Sequence, residues 1–210
     1  AMREIPRGVL THRDATIFVI VASIVFVFAS FQLNRTCGWL SPVALAIVFW
    51  YSLAKRVTTY TQAFLGLAMA VAPIGGWLAG GGELGPEPLG LGLPIGSWVA
   101  GFDILYACQD LEVDRREGLH SIPVRFGVAQ SITMSRVLHV VTIGALIQVG
   151  LFDNLGPVYF GGVIAVAALL AWEQSLVSAD DLSQVKRAFH LNGWVGLLYF
   201  ATTSAAVYWR

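Results

Sequence analysis

Residues 109–118 read QDLEVDRREG, with two aspartates, two glutamates and two arginines gathered directly after a long apolar run. Asp110 and Asp114 stand one helical turn apart, where two carboxylates on an exposed helix repel by roughly a few tenths of a kcal/mol. A cation between them removes that repulsion. A hard divalent ion such as Mg²⁺ takes carboxylate oxygens, keeps several waters and is completed by substrate phosphates rather than by a full protein cage. The pair is therefore a candidate site for a metal and a diphosphate. The competing reading is a solvated helix end, with Asp110, Glu112, Asp114 and Glu117 compensated by Arg115 and Arg116.

Two features favour chemistry over solvation. Counted from Asp103, Tyr106 lies three positions on, Asp110 seven, Asp114 eleven and Glu117 fourteen. A helix continued past Ala107 sets all of them on one stripe. Asp103 carries that stripe into the apolar run, where an ionisable side chain is a functional-site candidate by default. The second feature is SLAKRVTTYTQ, residues 52–62, whose Lys55 and Arg56 offer the opposite charge.

The elements that must position these groups follow from composition. Of the 210 residues, 56% are hydrophobic and only 12% charged, about half the charge density of an average soluble domain. Such a chain has lipid as its solvent. Seven stretches approach the roughly 20 apolar residues that span a bilayer as a helix: 15–33, 39–54, 62–80, 89–107, 132–152, 156–172 and 194–209. Their hydrophobicity is continuous rather than alternating, which favours helices over a barrel. The expected fold is all-α, a polytopic transmembrane helical bundle with seven spans, in a single domain over residues 1–210. The glycine-rich GGGELGPEPLGLGLP, residues 80–94, lacks Lys, Arg and the spacing of a phosphate loop, and reads as a flexible connection.

Alternating hairpins divide the cations unevenly. Ten Lys and Arg fall on one side, from Arg3, Arg7 and Arg13 to Lys186 and Arg187, and only Arg35 and Arg210 on the other. The positive-inside rule makes the crowded side cytoplasmic and places Lys55, Arg56 and the charged loop after residue 107 together there. Cys37 and Cys108 then lie on opposite faces, which excludes a disulfide between them. His12, His139 and His190 share no metal-ligand spacing; the first and last read as interfacial, His139 as facing the bundle.

The stretch GFDILYACQDLEVDRREGLHSIPVRFG, residues 101–127, resembles the second aspartate motif of the UbiA superfamily of intramembrane prenyltransferases. WYSLAKRVTTYTQAFLG, residues 50–66, resembles that family's Tyr, Lys-Arg, Thr and Gln-x-x-x-Gly signature, and REIPRG, residues 3–8, its proline turn. The resemblance is nearest to 4-hydroxybenzoate-type polyprenyltransferases, including the branch associated with menaquinone made by the futalosine route. It implies transfer of a polyprenyl group from polyprenyl diphosphate to an aromatic acid acceptor, with Mg²⁺ as cofactor, in quinone biosynthesis, and no nucleic-acid partner. Carried over residue by residue, it implies Asp110 and Asp114 as metal ligands and Lys55, Arg56, Arg3, Arg115 and Arg116 as diphosphate-binding groups. Asp103 and Tyr106 match polar positions of the family's cavity and are the candidate catalytic residues. The family has nine transmembrane helices and a first Asn-Asp-x-x-Asp motif upstream of the proline turn. The present chain resembles helices three to nine, so the first two helices and the first motif are expected to be missing and the chain as given to be inactive. An inner cell membrane is the expected location.

Three rivals remain at this point. A naphthoate, homogentisate or lipid-glycerol acceptor could replace 4-hydroxybenzoate. An ion or solute transporter would use intramembrane acids near the midplane, on helices related by a repeat, and no repeat is visible. A purely structural subunit would be indifferent to changes at Asp110 or Asp114.

Overall fold

Residues 11–209 are described by a computed structural model. Within them the chain is helical throughout: α1 (His12–Leu33), α2 (Arg35–Ala54), α3 (Thr61–Ala79), α4 (Pro86–Ala107), a 3₁₀ turn (Cys108–Asp110), α5 (Leu111–Arg116), α6 (Ile122–Phe126), α7 (Val128–Phe152), α8 (Pro157–Ser175) and α9 (Val185–Tyr208). Each of the seven apolar stretches forms one long helix. Six of these, with α4 counted through its extension to Arg116, are long and apolar enough to cross a membrane. The seventh, α9, has 24 residues but carries Lys186, Arg187, His190 and Asn192 in its first two turns, which lowers its apolarity. The chain is an all-α integral membrane bundle.

Local chemistry sets the boundaries. Thr11 starts α1 with a reciprocal capping box, its Oγ1 accepting from the Asp14 backbone N–H at 3.1 Å while Asp14 Oδ2 accepts from the Thr11 N–H at 3.3 Å. Asn34 ends α1 and caps α2, its Oδ1 accepting from the Cys37 N–H at 2.8 Å. Its Nδ2 donates to the Leu78 carbonyl at 2.7 Å and so pins the first hairpin to the end of α3. The glycine-rich stretch is not a connection over its whole length. Pro86 opens α4 in the first turn, where its missing N–H costs nothing, and the loop shrinks to residues 80–85.

Helix α4 is the hub, packed most extensively against α3 and α7. Gly66 on α3 lies against the Gly96 backbone of α4 so closely that a Cβ would collide with the Gly96 carbonyl. That approach is the small-residue contact membrane helices use in place of a hydrophobic drive. Tyr159, Val163, Val166 and Leu170 of α8 pack with Leu146 of α7 and Val195 of α9 into an apolar core. Helix α1 lies outermost, exposing Ile17, Phe18, Ile24, Val25 and Phe28, as expected of a surface bathed in lipid. Cys37 and Cys108 are free and at opposite ends of the bundle.

Candidate active site on one rim of the bundle

The end of α4 is where the charged stretch is built. The helix does not run on unchanged past Ala107. Residues Cys108–Asp110 tighten into a 3₁₀ turn before α5 resumes, and a 3₁₀ turn advances fewer residues per revolution than an α-helix. The continuous stripe expected from Asp103 to Glu117 is therefore interrupted, and Glu117 falls on the C-cap of α5 as an exposed residue.

Gly118 then turns the chain back. Its φ of +66° suits glycine, and the Leu119 N–H donates to the Asp114 carbonyl at 2.8 Å while the Gly118 N–H reaches the Arg115 carbonyl at 3.4 Å. These are the two bonds of a Schellman cap. The reversal delivers the His120 N–H to the Lys55 carbonyl at 2.7 Å. Beside it, Gln62, buried at the start of α3, accepts from the Ile122 N–H at 3.4 Å. The acidic and basic loops, about sixty residues apart in sequence, are thus stitched on one rim by one backbone-to-backbone bond and one bond to the Gln62 side chain.

Lys55 lies between the two aspartates. Its Nζ donates to Asp114 Oδ1 at 2.8 Å and stands 3.6 Å from Asp110 Oδ2, an ion pair too long for a hydrogen bond. Asp114 has only 2% of its side chain exposed, against 45% for Asp110. Burial alone would lower the Lys55 pKa. The hydrogen bond and charge of Asp114, with the charge of Asp110, outweigh it and hold the ammonium above its ordinary value. The other oxygen of Asp114, Oδ2, is buried with no hydrogen-bond partner.

The structure gathers some of the expected residues and leaves others apart. Asp103, on the last turns of α4, is within electrostatic reach of Lys55 and Asp110. Tyr106 is exposed on the same helix and lies against Phe189 of α9, ring centroids 5.0 Å apart. Arg56, Arg115 and Arg116 are exposed, and none forms an ion pair among the described residues. The solvated-end reading, in which Arg115 and Arg116 neutralise the acids, is not what forms: Lys55 is the counterion. Arg3 lies outside the described residues. Tyr51 went unselected as a site residue in the sequence, although it sits one turn before Lys55 on α2 and is electrostatically coupled to both Asp103 and Lys55. The four-residue spacing was the available signal.

Among the described residues no group of three or more His, Cys, Asp or Glu gathers as a ready-made metal cage. The rim offers two carboxylates, one of them with a buried unpartnered oxygen, beside a lysine and three unpaired arginines. That set suits a cation shared with a polyanion better than a closed metal site.

The profile of the UbiA prenyltransferase family matches residues 1–201. The chain belongs to that family. A 4-hydroxybenzoate octaprenyltransferase of Pseudomonas entomophila (strain L48) is 32% identical over 201 residues, covering 95% of the present chain and 67% of its own length. One of the same name from Yersinia enterocolitica serotype O:8 is 28% identical over 200 residues, covering 95% and 69%. The chain thus spans about two thirds of the length of such relatives. Among solved structures, the apo form of a UbiA homolog from Aeropyrum pernix K1 superposes with a TM-score of 0.88 at 26% identity, covering 97% of the present chain and 76% of that one. A digeranylgeranylglyceryl phosphate synthase shares the fold, with a TM-score of 0.73 at 18% identity and coverage of 96% and 73%.

Proposed function

We propose that the protein transfers a polyprenyl group from polyprenyl diphosphate to an aromatic acid of the 4-hydroxybenzoate type, in the biosynthesis of a quinone. The relatives named above support the reaction class and the acceptor. The observation that carries the site is the pairing of Lys55 with both Asp110 and Asp114 on the rim.

In this reading Asp110 and Asp114 would hold Mg²⁺ together with the diphosphate. The fit rests on the unpartnered Asp114 Oδ2 beside the half-exposed Asp110, since magnesium is commonly bound by one or two carboxylates plus substrate phosphates. The allylic C–O bond breaks with its electron pair departing on the diphosphate oxygen, and the ion, when bound, would supply positive charge to that leaving group. Lys55 orders the two carboxylates and keeps further N–H donors for phosphate. Arg56, Arg115 and Arg116, exposed and in no ion pair among the described residues, are free to swing onto the diphosphate from the water side. Arg3 belongs to the same set by resemblance. Tyr106 presents a π-face to the allylic cation. Asp103, deeper on α4, takes the proton that the acceptor ring releases once its new C–C bond has formed.

The rim faces the cytoplasm of a cell whose inner membrane holds the bundle, because the Lys and Arg residues crowd on that side. Helix α9 completes a seventh span, its polar first turns lying at the cytoplasmic boundary.

The test is an assay of membranes containing the full-length protein, supplied with a polyprenyl diphosphate and 4-hydroxybenzoate, naphthoate, homogentisate or a glycerol phosphate lipid. Prenylated 4-hydroxybenzoate that disappears with EDTA is the expected product. Transfer to another acceptor alone would reassign the substrate, and solute flux in liposomes without any transfer would overturn the reaction class.

A further inference from the structure

Among the described residues, Glu173 is the most deeply buried acid outside the rim, with 1% exposure near the end of α8. Its Oε1 accepts from Asn192 Nδ2 of α9 at 3.2 Å, and its Oε2 has no partner. A buried acid inside a span is retained at an energetic cost, which calls for a reason. The reason lies in what Asn192 does next. Its Oδ1 accepts from the indole Nε1–H of Trp98 on α4 at 2.7 Å. An amide side chain donates at one end and accepts at the other. By accepting from the Nδ2 end, Glu173 acts with the Ala188 and Phe189 carbonyls, which Nδ2 also reaches at 3.4 and 3.3 Å, and as the one side-chain acceptor from another helix it fixes which end of Asn192 meets Trp98.

From Trp98 a ladder of rings runs to the rim. Trp98, Phe102 and Tyr106 recur every four residues on one face of α4. Trp98 meets Phe102 edge to face at 5.7 Å, Phe102 meets Phe189 of α9 at 5.6 Å, and Phe189 tilts onto Tyr106 at 5.0 Å. Such edge contacts constrain ring orientation as well as separation. The lower rings are half-buried, whereas Phe189 and Tyr106 are exposed at 41% and 38% and so depend on the ladder for their placement.

We propose that Glu173 and Asn192 are positioning residues for the transfer, holding Trp98 and, through Phe102 and Phe189, setting the ring of Tyr106 beside the acidic rim. The catalytic half of this inference rests on the proposed prenyl transfer; the mechanical half does not. Both are tested in the full-length protein in detergent, with 3-fluorotyrosine at position 106 as a reporter. Asn192→Leu and Glu173→Leu are expected to shift the ¹⁹F resonance, and Glu173→Gln, whose amide oxygen still accepts from Asn192, to leave it in place. Trp98→Phe removes the indole N–H with its five-membered ring, keeps an aromatic ring on α4 and is expected to shift it too, so the test does not hang on a polar-to-apolar change alone. In prenyl transfer, the shifting variants are expected to lose about tenfold in kcat, the scale of one functional hydrogen bond, with KM for the diphosphate within about twofold. The Gln variant is expected to stay near wild type. An unmoved Tyr106 resonance in folded Asn192→Leu and Trp98→Phe overturns the proposal, as does Glu173→Gln behaving like Glu173→Leu. A wild type without transfer activity would remove the functional reading alone, with the fluorine result still deciding the coupling.

Discussion

Lys55 is the residue on which the rim turns. It faces one carboxylate that is almost fully buried and one that is half open to water. Removing Lys55 leaves the buried Asp114 carboxylate without its donor, at a cost of about 1–3 kcal/mol for a partner that is itself partly open to water. Lys55→Met is therefore expected to lower the thermal unfolding midpoint in detergent at neutral pH, and an unchanged midpoint would remove the pair from the stability account. The sign with pH follows from the raised pKa of Lys55. Its contribution is present in full below the ordinary lysine value of about 10.4, and is lost as pH climbs through the raised value in the fold. The gap between wild type and Lys55→Met should accordingly narrow only above about pH 10.5. Much of this pairing was legible in the sequence. The uneven distribution of Lys and Arg put both loops on one side, and the Asp110–Asp114 spacing announced a need for a cation. Lys55 and Arg56 stood out as the opposite charge on that side, but that Lys55 alone takes the place while the nearer Arg115 and Arg116 stay out of it was not legible. Those arginines neighbour Asp114 in sequence, but on a short helix adjacent side chains diverge, and only the fold brings a distant lysine between the acids.

At the scale of elements, the join between α4 and α5 decides where the acids end up. The apolar run predicted the helix, and the stripe from Asp103 onward rested on its continuing past Ala107, which it does as far as Arg116. The 3₁₀ turn was not legible, because Cys108, Gln109 and Asp110 carry no breaker; it lies at the buried Cys108, just before the buried Asp114. Gly118 is a legible stop, and its positive φ makes the cap specific to glycine. Gly118→Val is expected to cost about 1–3 kcal/mol of local strain. The loop that delivers His120 to the Lys55 carbonyl should loosen, and amide exchange at His120 should speed up by an order of magnitude or more. Exchange at the wild-type rate would show that the cap does not hold the loop. The flexible reading of residues 80–94 failed for a similar reason. Glycine and proline were counted as breakers, but Pro86 occupies the first helical turn, and the glycines of α4 admit close neighbours such as Gly66.

At the scale of the whole molecule, lipid as solvent explains why an all-helical bundle was legible from composition alone. Span number was less so, since α9 mixes a polar beginning with an apolar remainder. Impermeant thiol labelling of single cysteines, in a background lacking Cys37 and Cys108, resolves it. Glu117→Cys and Ser183→Cys are expected to react only from the cytoplasmic side, Leu84→Cys and Trp209→Cys only from the other. Trp209→Cys reacting with Ser183→Cys from one side would remove α9 as a span. The family's fold, superposing closely on the Aeropyrum pernix homolog, gives the rim its setting, but the rim's chemistry stands or falls separately. In that chemistry Asp114, with Asp110 and Lys55, compensates a magnesium-bound diphosphate. The most direct measurement is the rate of Mg²⁺-dependent prenyl transfer to 4-hydroxybenzoate by Asp114→Asn in the full-length protein. That change keeps the shape and removes the charge. A fall of about 100-fold or more is expected, the scale of losing one preorganised electrostatic group. Asp114→Asn turning over at the wild-type rate, with the same magnesium requirement, would contradict the claim.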